Sequence, residues 1–414
     1  MARNSYIVLA AIVLFSLFIT LQLIWYENTT EFRKEIKVHN EPILADVPAK
    51  PKIIPLKPGC NIINFKETSD CDGKAIKYST PMRYGTYNKK LSFTKVKDIG
   101  FDFSNQHYIR PLRTISEDGG DHDPRIRVEN DFVSFSCPLD LPSSAANNNY
   151  IKWIFKPASK DSVALLFRRD DHNPFFMISL VLNMWIVMHK LKIEKFDRII
   201  FMDEAKYKPT DELFSDMAYN ITYATDYYTM ERFENAVVMP SEYEGPLMDH
   251  LDSYQPCEKS QLVKMFAKNI MKVDTLQYNV ITIVSRKNYN GRHLNRIWLN
   301  EDIIVARMRS EYPEWIIEQV QFEKLSMKEQ IKHAKRSKVM LGMHGAGMVH
   351  CIWMNEGSKV IEIFPKQKIR HSYRNIAQYV GLNYYTHRGG IDSEMEAKTI
   401  DWDTWKPFLD KIIS

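Results

Sequence analysis

The chain has 414 residues, in which 56 Lys and Arg face 51 Asp and Glu for a formal charge of +5. Spread over that length, the excess is too thin for the basic stripe of a nucleic-acid-binding surface, so no nucleic-acid partner is expected. Hydrophobic residues at 44% and charged residues at 26% match water-soluble globular chains and argue against both wholesale disorder and a multi-span membrane protein.

In chain order, the first element is Tyr6 to Tyr26, which carries no charge and a single amide, Gln22. About 20 apolar residues in a helix span a bilayer core, and Trp25 and Tyr26 sit where an interfacial aromatic belt falls. A cleaved signal peptide has a shorter apolar run and a small-residue cleavage site, and this stretch has neither. Arg3 precedes the span, so the positive-inside rule predicts a cytosolic tail at 1–5, a retained anchor at 6–26 and a luminal remainder. Residues 27–58 are charged and spaced by Pro42, Pro48, Pro51, Pro55 and Pro58, the pattern of an extended stem.

Two N-glycosylation sequons follow the span, at Asn220 and, close against the membrane, at Asn28. The five cysteines are Cys60, Cys71, Cys137, Cys257 and Cys351, without a C-x-x-C spacing, and no metal site is readable. Cys60 and Cys71 are near enough in sequence for a local bridge, and an odd count leaves at least one thiol outside any internal pairing. From Cys60 to Tyr150 short strand-like pieces alternate with turn residues.

After Tyr150 the rhythm changes. Strands are predicted at 163–167, 198–202, 280–285, 315–320, 339–342 and 360–364, and helices at 175–191, 210–218, 300–311, 328–337 and 348–354. Apolar strands that alternate with helices, and do not themselves alternate polar with apolar residues, indicate an α/β fold with a parallel sheet covered on both faces. An adhesion-type ectodomain would instead be all-β and disulfide-rich.

In such sheets ligands bind beyond the carboxyl ends of the strands. There stand Ser285 and Arg286, then Arg292 and Asn295, then the turn His344-Gly345-Ala346-Gly347 opening a helix, and Glu362 within an apolar strand. Arginines beside a glycine-rich turn suit a diphosphate, because backbone N–H groups and the helix dipole face the anion while guanidinium groups add bidentate contacts. A buried Glu362 is costly unless it binds a partner, either ribose hydroxyls or the turn itself.

The stretch Val339 to Pro365, with its G-x-H-G-A-G turn, apolar helix and V-x-E-x-x-P strand, resembles the signature of glycosyltransferase family 61. Ile281 to Asn295 and Phe201 to Thr222 are similar to further segments of that family. The resemblance implies a GT-B architecture of two Rossmann-like domains facing each other across a cleft, here at 59–255 (acceptor side) and 256–414 (nucleotide-sugar side). It further implies inverting transfer of xylose or N-acetylglucosamine from a UDP-sugar donor to a glycan or glycoprotein acceptor, with no cofactor and no metal, by a type II Golgi membrane protein. The endoplasmic reticulum is the second choice of compartment. Donor contacts carried over are Ser285, Arg286, Arg292, Asn295, His344, Gly345, Ala346, Gly347 and Glu362.

The general base does not carry over. Family members place a His and an acid one helical turn apart after an Asn; here Asn173 matches, but Phe176 and Leu180 occupy those positions. The candidates are therefore Asp170, Asp171 and His172 just upstream, and Asp203 and Glu204 after the 198–202 strand. The alternative is a catalytically inactive member that binds a UDP-sugar or glycan.

Overall fold

The computed structural model describes residues 66–70, 75–81, 90–102, 159–166, 168, 173–203, 207–226, 230–255, 259–276, 279–288 and 293–414. The predicted tail, anchor and stem lie outside these residues, as do Asn28, Cys60, Cys71, Cys137, Cys257, Asp170, Asp171, His172, Glu204 and Arg292. Residues 50–414 form one compact unit.

The first sheet is built from β1 (Lys66–Asp70), β2 (Ala75–Pro81), β3 (Lys90–Asp102), β4 (Ser159–Leu166), then, after helix α1 (Pro174–Leu191), β5 (Phe196–Phe201), β6 (Ala218–Tyr223) and β7 (Met230–Val238). Its order is β1-β2-β3-β7-β4-β5-β6. The last four strands of that order are mutually parallel, whereas β1, β2, β3 and β7 pair antiparallel. The helix expected at 210–218 is instead a 3-10 helix, Pro209–Phe214, followed by β6. The run Ala218-Tyr-Asn-Ile-Thr-Tyr223 is rich in the β-branched and aromatic side chains that favour a pleated surface. Asn220 is exposed on this edge strand.

Helix α2 (Gln261–Asn269) leads into the second half: β8 (Val280–Val284), α3 (Glu301–Glu311), β9 (Ile316–Val320), α4 (Met327–Arg336), β10 (Val339–Met343), a 3-10 helix (Ala346–Trp353), β11 (Lys359–Ile363), α5 (Ser372–Val380), β12 (Asn383–His387), the short hairpin β13 (Ile391–Asp392) and β14 (Lys398–Thr399), and α6 (Trp402–Ile413). The five-stranded sheet has the order β12-β11-β10-β8-β9 and is parallel throughout. Counted from its own first strand this is 2-1-3-4-5, a doubly wound order whose direction reverses between β8 and β10. The predicted apolar strands of this half are present, and β12 was not foreseen because its Asn-Tyr-Tyr-Thr-His sequence lacks an apolar run.

Local signals explain where the helices begin. The Asn173 side chain accepts a hydrogen bond from Phe175 N at 3.0 Å, and Pro174 fills the first helical position of α1, where its missing N–H costs nothing. Ser326 and Glu329 form a reciprocal capping box at α4. Helix α1 is long and apolar enough to cross a membrane, yet 67% of it is buried. A helix that is apolar all round needs partners all round. One side of α1 lies under the first sheet, and another meets α2 and the 346–353 helix, where Trp185, Phe266 and Trp353 stand in series with centroids 6.0 and 5.5 Å apart. A second apolar cluster, with Trp298, Val305, Trp405 and Leu409, covers the opposite face of the second sheet.

Candidate functional site

The reversal point between β8 and β10 places their carboxyl ends side by side, and the chain leaves each of them through a residue of the predicted site. Gly342 allows this close pairing: a Cβ there would lie 2.8 Å from the Val284 carbonyl oxygen. After β10 comes His344, whose N–H bonds to Ile363 O at 2.8 Å, and then Gly345, which precedes the 346–353 helix. After β8 come Ser285 and Arg286.

Arg286 lies against the turn. A Cβ on Gly345 would fall 2.3 Å from its Nη1, and since φ of Gly345 is 176°, it is the guanidinium and not the backbone conformation that requires glycine here. The same guanidinium donates through Nε and Nη2 to the Asn295 carbonyl at 3.3 and 3.1 Å. Asn295 therefore acts through its main chain, and its exposed side chain does not hold Arg286.

A second arginine, missed in the sequence, stands on the same turn. Arg296 Nε donates to the His344 carbonyl at 2.9 Å and its Nη1 to Glu396 at 3.0 Å. Because C=O and N–H of a trans peptide point in opposite directions, fixing the His344 carbonyl also fixes the direction of the Gly345 N–H. Arg296 has φ of 60°, a left-handed conformation that no sequence pattern announces for an arginine.

Behind the turn is a buried polar relay. His344 Nδ1 is hydrogen-bonded to Glu362, and the Tyr384 hydroxyl donates to the other carboxylate oxygen. Both oxygens of Glu362 are thus engaged and the residue is buried, which favours the orienting role of the two open to it. Burial, reinforced by Glu362, pushes the Tyr384 hydroxyl well above its ordinary pKa, so it stays a donor. The His344 ring stacks on Phe364 at 5.0 Å and touches Tyr373 at 5.5 Å.

Two other expected contacts turn inward. Ser285 Oγ donates to Glu301 at 2.5 Å, and Gln319 Nε2 donates to the same oxygen, so Ser285 braces the start of α3 instead of facing a ligand. Asp203 is fully buried and both its oxygens accept from Arg168, through Nε and Nη2 at 2.8 Å each. Arg168 turns its remaining edge to Asp211, at 2.9 and 3.0 Å, and Tyr223 donates to Asp211 at 2.9 Å. A carboxylate held in this way is not available to take a proton, which removes Asp203 from the candidate bases. Phe176 packs on Tyr243 at 4.8 Å and Leu180 is buried, so neither of these positions offers an acid or base.

The start of α1 nevertheless reaches the turn. Phe175 meets Tyr373 edge-on at 5.9 Å, and Tyr373 touches His344. Cys351, within the 346–353 helix, is buried and unpaired. Among the described residues no group of three or more His, Cys, Asp or Glu is arranged to hold a metal ion.

The molecule is thus a doubly wound α/β protein with an arginine-flanked glycine turn at its reversal point. Its resemblance to glycosyltransferase family 61 is borne out: the family model Glycosyltransferase 61 matches residues 174–361. The chain is 25% identical over 133 residues to the EGF domain-specific O-linked N-acetylglucosamine transferase of Drosophila melanogaster, covering 32% of this chain and 25% of that protein. It is 20% identical over 268 residues to Beta-1,2-xylosyltransferase RCN11 of Oryza sativa subsp. japonica, covering 56% and 49%. The chain therefore spans between a quarter and a half of the length of these curated relatives. Among solved structures, E. coli heptosyltransferase WaaC with ADP is 9% identical with a TM-score of 0.29, covering 60% of this chain and 99% of that one.

Proposed function

We propose that this chain is an inverting, metal-independent glycosyltransferase of GT-B type that moves xylose or N-acetylglucosamine from a UDP-sugar to a glycan or glycoprotein in the Golgi lumen, anchored by the helix at 6–26. The observation that carries the reading is the pair Arg286 and Arg296 on either side of the His344–Gly347 turn, at the reversal point of a parallel sheet. Transfer needs stabilisation of the charge that gathers on the leaving diphosphate, and preoriented guanidinium groups and backbone N–H groups supply it without reorganising. The relatives' names, an N-acetylglucosamine transferase and a xylosyltransferase, support the two sugars.

In this reading the acceptor hydroxyl gives its proton to a base on the first-sheet side. Asp170, Asp171 and His172 are the leading candidates, since Phe175, three residues past His172, is in ring contact with the group that touches His344. Glu204 and, for the diphosphate, Arg292 keep their proposed roles. Asn220, exposed on an edge strand, is the proposed glycan site, and Asn220→Gln should abolish the mobility shift caused by glycosidase treatment.

A second reading rests on Phe176 and Leu180, which stand apolar and packed where the family pattern has a His and an acid. In it, the chain binds a UDP-sugar without turning it over. The test is UDP release by the full-length chain in detergent, from UDP-xylose and UDP-N-acetylglucosamine with glycan and glycopeptide acceptors. Acceptor-dependent release is expected. Binding of UDP with no transfer to any acceptor would favour the second reading, and absence of UDP binding would sink both.

A further inference from the structure

Beyond β12 the chain forms a hairpin whose base and tip are held in different ways. The base is fixed by Lys398, a fully buried lysine whose Nζ meets Asp392 at 2.5 Å and the carbonyls of Gly389 and Arg388 at 3.1 and 3.3 Å. The tip, Ser393 to Ala397, contains a short 3-10 turn with no buried residue, and Met395 is 53% exposed. The tip is tied to the rest of the molecule by ion pairs and one backbone hydrogen bond. Glu396 accepts from Arg296 Nη1 at 3.0 Å and pairs with Lys368 Nζ at 3.3 Å, and Arg296 N–H bonds to Met395 O at 2.8 Å.

Backbone strain is concentrated at the same contact. Arg296, Met395 and Glu396 have φ of 60°, 54° and 57°, and none is glycine. Left-handed backbone in such residues is strained and persists only where surrounding contacts hold it, commonly at ligand clamps and switches. Here the holding contacts are one carboxylate shared by two cations and the bond from Arg296 N–H to Met395 O. Burial opposes the charge on Glu396, yet hydrogen bonds from Arg296 and Lys368 outweigh it and keep the carboxyl below its ordinary pKa.

One of the cations, Arg296, flanks the turn that the donor reading assigns to the diphosphate. Arg296 also holds the His344 carbonyl, and Lys368 follows β11, the strand that carries Glu362. A diphosphate carries more charge than a carboxylate and accepts more hydrogen bonds from a guanidinium. We propose, resting on the donor reading above, that Glu396 is an internal counter-ion which the diphosphate of the donor displaces, so that donor binding releases the hairpin tip while Lys398 keeps its base in place. Apparent donor affinity is then the intrinsic affinity multiplied by the fraction of molecules in which the carboxylate has released the cations. Glu396 is a positioning and gating residue in this scheme, not one that touches the reacting atoms.

The test is UDP binding to the full-length chain in detergent at fixed ionic strength, with uridine as the phosphate-free control. Glu396→Gln should bind UDP about tenfold more tightly than the unaltered chain, with uridine affinity unchanged, and Glu394→Gln, two residues away, should match the unaltered chain. Equal or weaker UDP binding by Glu396→Gln, with binding by the unaltered chain intact, overturns the counter-ion and leaves the donor site standing. Failure of the unaltered chain to bind UDP overturns both. A second measurement needs no variant: saturating UDP should speed hydrogen exchange at the Ser393 and Ala397 amides, and unchanged or slower exchange would contradict release of the tip.

Discussion

His344 and Glu362 form a buried pair, with the imidazole Nδ1 hydrogen-bonded to one carboxylate oxygen. An ionised carboxylate can only accept, so the pair fixes which ring nitrogen carries the proton and leaves Nε2 as the second face of the ring. Tyr384 completes the relay from the other oxygen.

Changing Glu362 to Gln leaves the shape and removes one acceptor. The amide must turn its NH2 toward either His344 or Tyr384, both donors, and hydrogen bonds to charged groups are worth about 1.5–3 kcal/mol. UDP affinity should fall about tenfold or more by calorimetry, while Tyr384→Phe, which leaves the His344 contact in place, should have a smaller effect.

Two glycines, one in β10 and one in the turn that follows it, should fail differently when replaced by alanine. At Gly345 the added methyl meets the end of the flexible Arg286 side chain, 2.3 Å from Nη1, so the arginine moves and the fold survives. At Gly342 it meets the Val284 carbonyl at 2.8 Å, and two paired strands must separate, at a cost of about 1–3 kcal/mol for overpacking. Gly345→Ala should thus lose UDP binding with an almost unchanged urea midpoint, and Gly342→Ala should lower the midpoint.

The Arg168 network should prove structural. Removing the guanidinium leaves Asp203 and Asp211 buried without their counter-charge, and breaking a buried pair in this way costs about 3–5 kcal/mol. Arg168→Met should lower stability by that order in urea unfolding. Arg168→Lys should recover little of it, since an ammonium cannot reproduce the fork that spans two carboxylates.

Acid should unfold the protein in part through His350. Its ring is fully buried against Phe322, at 4.6 Å, and burial alone pushes its pKa from 6.5 down to about 3. Between those values the unfolded chain binds the proton and the native one does not, so this contribution is whole above pH 6.5 and is lost as pH falls. The loss reaches about 2 kcal/mol by pH 5, from 1.36 kcal/mol per unit. His350→Leu should flatten that limb of a stability-against-pH curve. His387, pushed down to about 4 by burial and then Lys398, continues the limb in the variant.

The second sheet was legible because strands buried on both faces write themselves as apolar runs, as in Val280 to Val284 and Val339 to Met343, with Arg286 two residues and His344 one residue beyond. The 3-10 helix at Ala346–Trp353 was read as α because an apolar run does not distinguish the two. Arg296 and Glu396 escaped notice because their pairing joins residues 100 apart through left-handed backbone that only glycine or asparagine normally advertises. Asp203 looked like a free acid after a strand, since nothing near it in sequence reveals that Arg168, leaving the neighbouring strand, closes over it.

Helix α1 also sets a condition on how the chain is made. It leaves the ribosome with the length and apolarity of a membrane span, and part of its cover, Ala346–Trp353, is synthesised far later. Until that segment arrives, the nascent chain carries an apolar stretch without its full set of partners. Ser179 and Asn183, which in the finished fold hold the backbone of residues 241–244, interrupt the apolarity of that stretch from the moment it is made.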